Sequence, residues 1–459
     1  MNYQEFIKSK INEKIYHGFD IIHGDINPIL FDYQKDIVKW SVKKGKSAIF
    51  ANTGLGKTFM QAEFAKIVNE KKKSKVLILA PLAVSLQTIQ EAKKLEIEIH
   101  NLKKDFIPHD INIINYEQID NINPLDYDCI ILDESSILKN ISGTIKRKIV
   151  ESFAHCKFKL ACSATPAPND FMELGNHSEF LNVMKSSEML STFFVHDSGE
   201  TQKWRLKGHA EQKYWEWISS WAVVLRDPAD LGYNNKRFEL PGLNYVNHVI
   251  DKEIIPEGHM FGMEARTLNE RREVKKATIE DRCQLAADIV NNSDEIFLVW
   301  CELNSESEML SKIINNSVEI KGNDKPEFKE KAMIDFANGK IKCLITKPKI
   351  AGFGMNWQIC HNIIYVNLSD SFEQEYQSTR RCYRFGQKKI VNVHKVFSNS
   401  ERNIINNLAR KAKQADQMFI GMVKHTKNMI IKNIHKEEKR KTNYIATEKM
   451  KLPNFLLNN

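Results

Sequence analysis

The sequence lacks the features that mark membrane and secreted proteins. No apolar run approaches the roughly 20 residues that a membrane-spanning helix needs. The first residues, MNYQEFIKSK, show no basic stretch followed by an apolar one, which a secretory signal requires. These absences argue against a transmembrane protein, and we expect a cytoplasmic protein.

Cysteine pairs at metal-binding spacing are also lacking. None of the eight cysteines forms a C-x-x-C pair, and several lie inside apolar, strand-like runs. They are Cys129, Cys156, Cys162, Cys283, Cys301, Cys343, Cys360 and Cys382. This dispersion argues against a zinc ribbon or a disulfide scaffold.

What the chain does have is length, an ordinary composition and an uneven charge. Its 459 residues, 42% of them hydrophobic, are enough for two or three domains with buried cores. The net charge is +9, but residues 401–459 alone carry 13 Lys or Arg against 5 Asp or Glu. A basic tail suggests an acidic partner such as nucleic acid, although screened surface charge is the commoner interpretation of a Lys-rich stretch.

Short apolar runs alternate with segments of helical length in two parts of the chain. Between about residues 46 and 165 the runs are SAIFA, VLILAP, INIINY, CIILDE and FKLACSAT. Between about residues 276 and 398 they are EIFLVWC, IKCLIT, NIIYVN and VNVHKV. This alternation is typical of doubly wound parallel sheets, so we predict an α/β protein with two similar lobes.

The predicted organisation has five parts. They are an N-terminal helical segment (1–25), a first lobe (26–175), a Trp-rich helical insertion (176–275), a second lobe (276–400) and a basic helical tail (401–459). The insertion crowds Trp204, Trp215, Trp217 and Trp221 together. We interpret these rings as a hydrophobic mini-core that clamps the lobes, with a base-stacking platform for nucleic acid as the alternative.

The tail carries a helical pattern of its own. Phe419, Val423, Ile430 and Ile434 fall roughly on one helical face, and KEEKRK follows them. This pattern predicts a basic amphipathic helix that docks on the second lobe, with nucleic-acid contact as a plausible addition.

The strongest local signal is the segment Ala51-Asn52-Thr53-Gly54-Leu55-Gly56-Lys57-Thr58, between a predicted strand and a predicted helix. In that context the glycines let backbone N–H groups close around phosphates, and Lys57 neutralises the β/γ charge. Thr58 can hold magnesium. Ala51 replaces the usual first glycine of such a loop, and a small residue fits there. We predict that residues 53–58 bind a nucleotide.

A second piece follows the run CIILDE. This apolar strand delivers Asp133 and Glu134 at its carboxyl end, where parallel sheets bind ligands. Asp133 would complete the magnesium shell with Thr58, and Glu134 would orient and deprotonate the attacking water. The sequence thus predicts an NTPase with Lys57, Asp133 and Glu134 as catalytic residues.

Two further segments add polar groups. Gln34, about 20 residues before the phosphate loop, offers the donor and the acceptor that reading an adenine edge requires. Arg381 and Arg384 are three residues apart and so lie on one face of a helix. Presented across a cleft, they could stabilise the charge on a transferring γ-phosphoryl group.

With these residues in order, the sequence resembles the superfamily 2 helicases and translocases, over roughly residues 26–398, and its second lobe most resembles the Swi/Snf-type enzymes. The matching motifs are Tyr33-Gln34, Gly54 to Thr58, Asp133-Glu134-Ser135-Ser136, Ser163-Ala164-Thr165-Pro166, Ala351-Gly352-Phe353-Gly354-Met355-Asn356 and Gln377 to Gln387. The compact length, and the extension Thr165 to Asp170, look more like phage and mobile-element helicases.

The resemblance implies roles for further residues. Tyr33, Gln34, Gly352, Gly354 and Gln377 would bind nucleotide. Ser163 and Thr165 would couple the state of the bound nucleotide to movement along the nucleic acid. The residues that would contact nucleic-acid phosphates are Pro81, Asn115, Thr346 and Lys347. Two departures are Ser135-Ser136, where many relatives have Ala-Asp, Ala-His or Gly-His, and Ser-Ala-Thr, where Swi/Snf-type enzymes more often have Thr-Gly-Thr.

The resemblance implies a Mg-ATP-dependent DNA helicase or translocase with two RecA-like lobes, acting on double-stranded DNA in phage or mobile-element DNA metabolism. Its cofactors would be ATP and Mg²⁺. Three alternatives stay open: an RNA helicase, a motor subunit of a restriction or defence complex, and a non-catalytic nucleic-acid-binding switch.

Overall fold

The structure is a computed structural model. It describes residues 18–81, 84–102, 106–139, 143–167, 170–196, 204–251, 276–351, 355–367, 369 and 371–435. The described residues form two parallel β-sheets with helices packed around them, which confirms the predicted two-lobed α/β fold. No helix among them is long and apolar enough to cross a membrane.

The first lobe is built on a seven-stranded parallel sheet. Its part of the chain contains β1 (Lys46–Ala51), β2 (Val76–Ala80), β3 (His100–Asn101), β4 (Ile111–Asn115), β5 (Cys129–Asp133), β6 (Phe158–Ser163), β7 (Phe194–His196), β8 (Trp204–Leu206) and β9 (Ala222–Leu225). The strand order is β3-β4-β2-β5-β6-β1-β9, and β7 and β8 form a separate antiparallel pair. All five predicted runs are strands here, and β2 and β5 are buried along their whole length, as central strands of a parallel sheet must be.

In the described part of this lobe, seven α-helices accompany the sheet. They are α1 (Asp32–Lys44), α2 (Lys57–Lys72), α3 (Ser85–Lys93), α4 (Thr144–Ser152), α5 (Leu174–Phe180), α6 (Ser186–Phe193) and α7 (Glu211–Trp221). Short 3₁₀ helices cover His23–Asp25, Tyr116–Asn121, Pro124–Asp126, Ser135–Lys139, Phe171–Glu173, Gly208–Ala210 and Pro228–Leu231.

The second lobe has a six-stranded parallel sheet. Its strands are β10 (Leu243–Ile250), β11 (Phe297–Trp300), β12 (Ser317–Glu319), β13 (Cys343–Thr346), β14 (Asn362–Tyr365) and β15 (Val391–Ser398), in the order β10-β15-β14-β11-β13-β12. Its helices are α8 (Ile279–Asn291), α9 (Asn304–Ile313), α10 (Pro326–Ala337), α11 (Pro348–Ala351) and α12 (Phe372–Thr379). The 3₁₀ helix Asn399–Glu401 leads into α13 (Arg402–His435).

The region between the lobes contributes a strand to each sheet, which the sequence did not indicate. Strand β9 pairs with β1, and β10 pairs with β15 over eight residues. Trp215, Trp217 and Trp221 are buried in the hydrophobic core of the first lobe itself. Their packing role is as expected, but they form no separate clamp between the lobes, and buried rings are not available to stack on bases.

Helix α13 corrects the prediction for the tail. Ile404 and Leu408, near its start, are buried in the second-lobe core. Met422, Val423 and Ile430 are buried in the first-lobe core, so docking on the second lobe alone is wrong. The physical reason is length: 34 residues at 1.5 Å each give a helix of about 50 Å, long enough to reach across both lobes. The segment KEEKRK and residues 1–17 lie outside the described residues.

Candidate nucleotide site between the two lobes

The phosphate loop connects β1 to α2, as the sequence predicted. Gly54 and Gly56 have φ angles of +84° and +74°, which side chains rarely allow. A Cβ atom on Gly54 would lie 2.8 Å from the backbone nitrogen of Phe385 in the second lobe. The glycine thus allows the second lobe to approach the loop closely.

Lys57 is the first residue of α2. Its Nζ donates to the backbone carbonyls of Ala51 at 2.9 Å and Asn52 at 3.4 Å, so it lies over its own loop. Burial lowers the pKa of Lys57, while the carboxylates of Glu134 and Asp133 raise it. A half-buried cation with these partners is suited to bind the anionic phosphates of a nucleotide.

Asp133 ends β5 and is held from two directions. Its Oδ1 accepts from Gln61 Nε2 at 2.9 Å and from the Glu134 backbone nitrogen at 3.1 Å. The Tyr116 hydroxyl donates to the Asp133 carbonyl at 2.7 Å. Burial raises the pKa of Asp133, against the lowering by Gln61 and Lys57. Gln61 and Tyr116 are positioning residues that the sequence analysis missed, because no local motif marks them.

Glu134 combines an unusual backbone conformation with an unpartnered buried oxygen. Its φ angle is +51°, and non-glycine residues in this region often mark functional sites. Its Oε2 is buried and has no hydrogen-bond partner among the described residues. Burial raises the pKa of Glu134 to about 7, although Lys57 lowers it. A carboxyl group with a pKa near neutrality is suited to act as a general base.

The arginines of the second lobe follow α12 directly. Arg381 donates through Nε to the Gln377 carbonyl at 3.1 Å, and both Arg381 and Arg384 reach the Met355 carbonyl, at 3.4 and 3.5 Å. Burial lowers the pKa of Arg381 to about 10. The segment between α12 and β15 therefore fixes both guanidinium groups toward the first lobe.

The charged groups of both lobes line one cavity of about 320 Å³ between the lobes. Of the predicted site residues, it is lined by Thr53, Gly54, Gly56, Lys57, Thr58, Asp133, Glu134, Arg381 and Arg384. Phe59, Asn356 and Gln358 also line it and were not predicted. The structure thus brings cations from both lobes against two carboxylates of the first lobe.

The Tyr33–Gln34 pair lies behind the phosphate loop and does not line this cavity. Both side chains donate to the Leu55 carbonyl, at 2.9 and 3.0 Å, and Gln34 Oε1 accepts from the Phe31 backbone nitrogen at 2.9 Å. In this arrangement Gln34 supports the loop and both ends of its amide are occupied. Its reading of an adenine edge stays a prediction.

Among the described residues, Leu55 and Gln377 were also predicted to bind nucleotide and do not line the cavity. Gln377 is buried and its Oε1 accepts from Arg381 at 3.4 Å, so it orients that arginine. Gly352 and Gly354 lie outside the described residues.

Of the predicted coupling residues, Ser163 ends β6 and Thr165 follows it. The Thr165 backbone nitrogen donates to Ser163 Oγ at 3.0 Å, and Thr165 Oγ1 is buried without a partner among the described residues. Thr165 lines a larger cavity of about 610 Å³, which α13 also lines. Thr165 therefore lies at the junction of the lobes, and the coupling role of both residues stays a prediction.

The predicted nucleic-acid contacts divide into two groups. Asn115 and Thr346 are buried; Asn115 accepts from Ser85 Oγ at 2.9 Å, and Thr346 donates to the Ile320 carbonyl. Because both side chains are buried and hydrogen-bonded within the protein, they are poorly placed to contact a nucleic acid. Pro81 and Lys347 are partly exposed, and Lys347 donates to Asn304.

A histidine that the sequence analysis missed contacts the acidic motif. His177 on α5 is fully buried, and its Nε2 lies 3.1 Å from Ser135 Oγ. Its Nδ1 lies 3.4 Å from the Glu173 carbonyl, and burial lowers the pKa of His177 to about 4. A neutral histidine thus joins the segment after Glu134 to the helix that follows Thr165.

The site fits a magnesium nucleotide. Thr53 Oγ1 and Glu134 Oε2 are buried polar atoms that lack partners among the described residues, as expected where a polar ligand completes the site. Thr58 and Asp133 would supply a hydroxyl and a carboxylate to Mg²⁺, which usually takes one or two protein ligands with phosphates and water. The described residues contain no cluster of three or more His, Cys, Asp or Glu for a metal held by protein alone.

Comparison with known proteins identifies two domains. Residues 25–168 match the family "Type III restriction enzyme, res subunit", and residues 280–386 match "Helicase conserved C-terminal domain". Together these matches cover more than half of the chain.

Individual proteins that are similar to this chain are also described as helicases. The uncharacterized ATP-dependent helicase YqhH of Bacillus subtilis is 21% identical over 79% of this chain and 74% of its own length. An uncharacterized ATP-dependent helicase of Mycoplasma pneumoniae is 22% identical over 85% of this chain and 42% of its own length. The chain spans less than half the length of two of the three bacterial relatives that it matches.

Among solved structures, the Sulfolobus solfataricus SWI2/SNF2 ATPase core in complex with dsDNA is 18% identical, with a TM-score of 0.42. The match covers 89% of this chain and 97% of that one. On the two matching domains, the helicase relatives and the pair of parallel-sheet lobes, the chain belongs to the superfamily 2 helicases.

Proposed function

We propose that this chain is a Mg-ATP-dependent DNA helicase or translocase that hydrolyses ATP between its two lobes. The observation that carries the proposal is the single cavity in which Lys57, Glu134 and Arg384 meet from two separate lobes. A site shared in this way is completed when the lobes close, so hydrolysis can be linked to lobe movement.

Each residue has a role that its position supports. Lys57 binds the β- and γ-phosphates, and Thr58 and Asp133 hold the Mg²⁺ that accompanies them. Glu134, with its pKa near 7, orients the attacking water and accepts its proton. Arg381 and Arg384 stabilise the charge that develops on the transferring phosphoryl group.

Double-stranded DNA is the nucleic acid along which we propose that the protein moves. The motif from Gln377 to Gln387 resembles that of Swi/Snf-type translocases, and the net charge of +9 favours a polyanionic partner. Binding through phosphates would be independent of sequence and weakened by salt. We place the protein in the cytoplasm, and in phage or mobile-element DNA metabolism because the extension from Thr165 to Asp170 resembles that of phage and mobile-element helicases.

The test is steady-state ATPase activity of the purified chain, alone and with duplex DNA, single-stranded DNA or RNA. Stimulation by duplex DNA, absent in Glu134→Gln, is the expected result. Stimulation by RNA alone would overturn the DNA assignment, and no hydrolysis under any condition would overturn the proposed activity. The non-catalytic alternative requires Glu134→Gln to keep full biological activity.

A second candidate is the motor subunit of a restriction or defence complex, which the family match of residues 25–168 favours. The described residues contain no cluster of three or more His, Cys, Asp or Glu, and in this alternative a partner would cut the DNA. Cleavage of plasmid DNA by the purified chain with ATP and Mg²⁺ would contradict this division of roles.

A further inference from the structure

One side-chain hydrogen bond joins the described phosphate loop to the second lobe. The Tyr376 hydroxyl, on α12, donates to Asn52 Oδ1 at 2.8 Å. The same oxygen accepts from the Thr53 backbone nitrogen at 2.9 Å, and the Asn52 backbone nitrogen donates to the Leu225 carbonyl at 3.1 Å. Asn52 is therefore anchored in the first lobe, and Tyr376 reaches it from the other lobe.

The two ends of this bond belong to the two halves of the site. On the first-lobe side, the Asn52 carbonyl contacts Lys57 Nζ at 3.4 Å. On the second-lobe side, Tyr376 lies on the helix that leads directly to Arg381 and Arg384. A hydrogen bond at this point fixes the lysine-bearing loop relative to the arginine-bearing segment.

The tyrosine ring is itself held in place. Arg380 lies between the rings of Tyr376 and Tyr383, with its guanidinium carbon 5.0 Å from each ring centroid. The Arg380 backbone nitrogen donates to the Tyr376 carbonyl at 3.0 Å, and Arg380 lines the same cavity as Lys57. Two tyrosines thus flank one arginine, but among the described contacts only the hydroxyl of Tyr376 reaches the phosphate loop.

We propose that Tyr376 is a positioning residue that detects lobe closure: its hydrogen bond to Asn52 forms when the lobes meet and holds the phosphate loop in the geometry for hydrolysis. The bond cannot form across separated lobes, since its partners lie on different lobes. Because Tyr376 is not one of the groups placed on the phosphates, it should affect turnover more than nucleotide binding. This inference rests on the proposed ATPase function.

The chain offers a matched pair of variants. Tyr376→Phe removes the hydroxyl and keeps the ring against Arg380, while Tyr383→Phe removes the hydroxyl that has no partner in the described residues. We expect Tyr376→Phe to lower kcat about three- to tenfold, the range for one hydrogen bond. ATP affinity, measured with a fluorescent analogue in the Glu134→Gln background, should change less than twofold, and Tyr383→Phe should keep wild-type kcat.

A double-mutant cycle completes the test. If the bond acts as proposed, Asn52→Ala combined with Tyr376→Phe loses no more activity than Asn52→Ala alone. Thermal unfolding of each variant verifies folding. Wild-type turnover in Tyr376→Phe, equal losses in both tyrosine variants, or additive losses in the cycle would refute this role and leave the ATPase assignment intact. A wild-type chain that hydrolyses nothing would instead overturn the proposed function.

Discussion

Replacing Glu134 by glutamine should stabilise the fold while it abolishes hydrolysis. Burial raises the pKa of Glu134 from 4.5 to about 7. Between these values the folded chain holds a proton that the unfolded chain has released, so the free energy of unfolding falls as pH rises. At pH 8 this difference in pKa corresponds to a loss of about 3 kcal/mol in the free energy of unfolding. Glutamine has nearly the same shape and no charge, and so avoids this loss.

The assay is urea unfolding without nucleotide or Mg²⁺, followed by tryptophan fluorescence, because Trp215, Trp217 and Trp221 are buried in the same lobe as Glu134. We expect Glu134→Gln to match the wild type near pH 4.5 and to exceed it progressively up to pH 8. Glu70→Gln, on the exposed surface of α2, is the control and should show no such trend. A stability difference that is the same at pH 5 and pH 8, or a less stable variant at pH 8, would refute the reasoning.

Three further predictions follow from the same structure. First, kcat/KM for ATP should rise about tenfold between pH 6 and pH 8, because a base with a pKa of about 7 passes from mostly protonated to mostly ionised. A flat pH profile of kcat/KM would exclude Glu134 as the base. Second, Arg384→Ala should lower kcat by roughly 10³-fold or more with little change in nucleotide affinity, and normal turnover in the ATPase assay would contradict its assigned role. Third, Ile430→Ala should destabilise the first lobe by about 2–5 kcal/mol in urea unfolding, since Ile430 is fully buried there. Ile420→Ala, on the exposed side of the same helix, is its control, and equal effects would mean that α13 does not pack as described.

The third prediction also changes how the basic tail can be studied. Removing the chain from residue 401 onward would take away 8 units of net positive charge, but it would also take Met422, Val423 and Ile430 out of the first-lobe core. Weaker DNA binding by such a truncation would therefore reflect lost packing as well as lost charge. Substituting exposed lysines of α13, such as Lys424, separates the two effects.

Local sequence patterns were sufficient to predict the central residues of the nucleotide site. Asp133 ends one strand of a parallel sheet and Lys57 follows another, and the carboxyl ends of such strands meet at one edge. The sequence order therefore already implied that these residues are neighbours. The predicted strands of both lobes are confirmed for the same reason, because a strand that is buried on both faces is apolar along its length.

The insertion was harder to interpret. Strand β10 lies at an edge of its sheet and alternates between half-buried and exposed residues, so its apolar signal is weak. Strand β9 directly follows the Trp-rich α7, and four residues are too few to separate a strand from the end of a helix. Both strands complete sheets whose other members lie far away in the chain.

By itself, the sequence determined the two-lobed α/β fold, the phosphate loop and the identity of the acidic and basic groups, because these depend on short-range periodicity and spacing. Only the tertiary structure decided which surfaces meet: α13 on both lobes, His177 on Ser135, Gln34 beneath the phosphate loop and Tyr376 on Asn52. Such pairs are up to 324 residues apart. An amphipathic pattern specifies that a face will be buried but not against what, since burial of apolar surface is non-directional and the partner is selected by the packing of the whole chain.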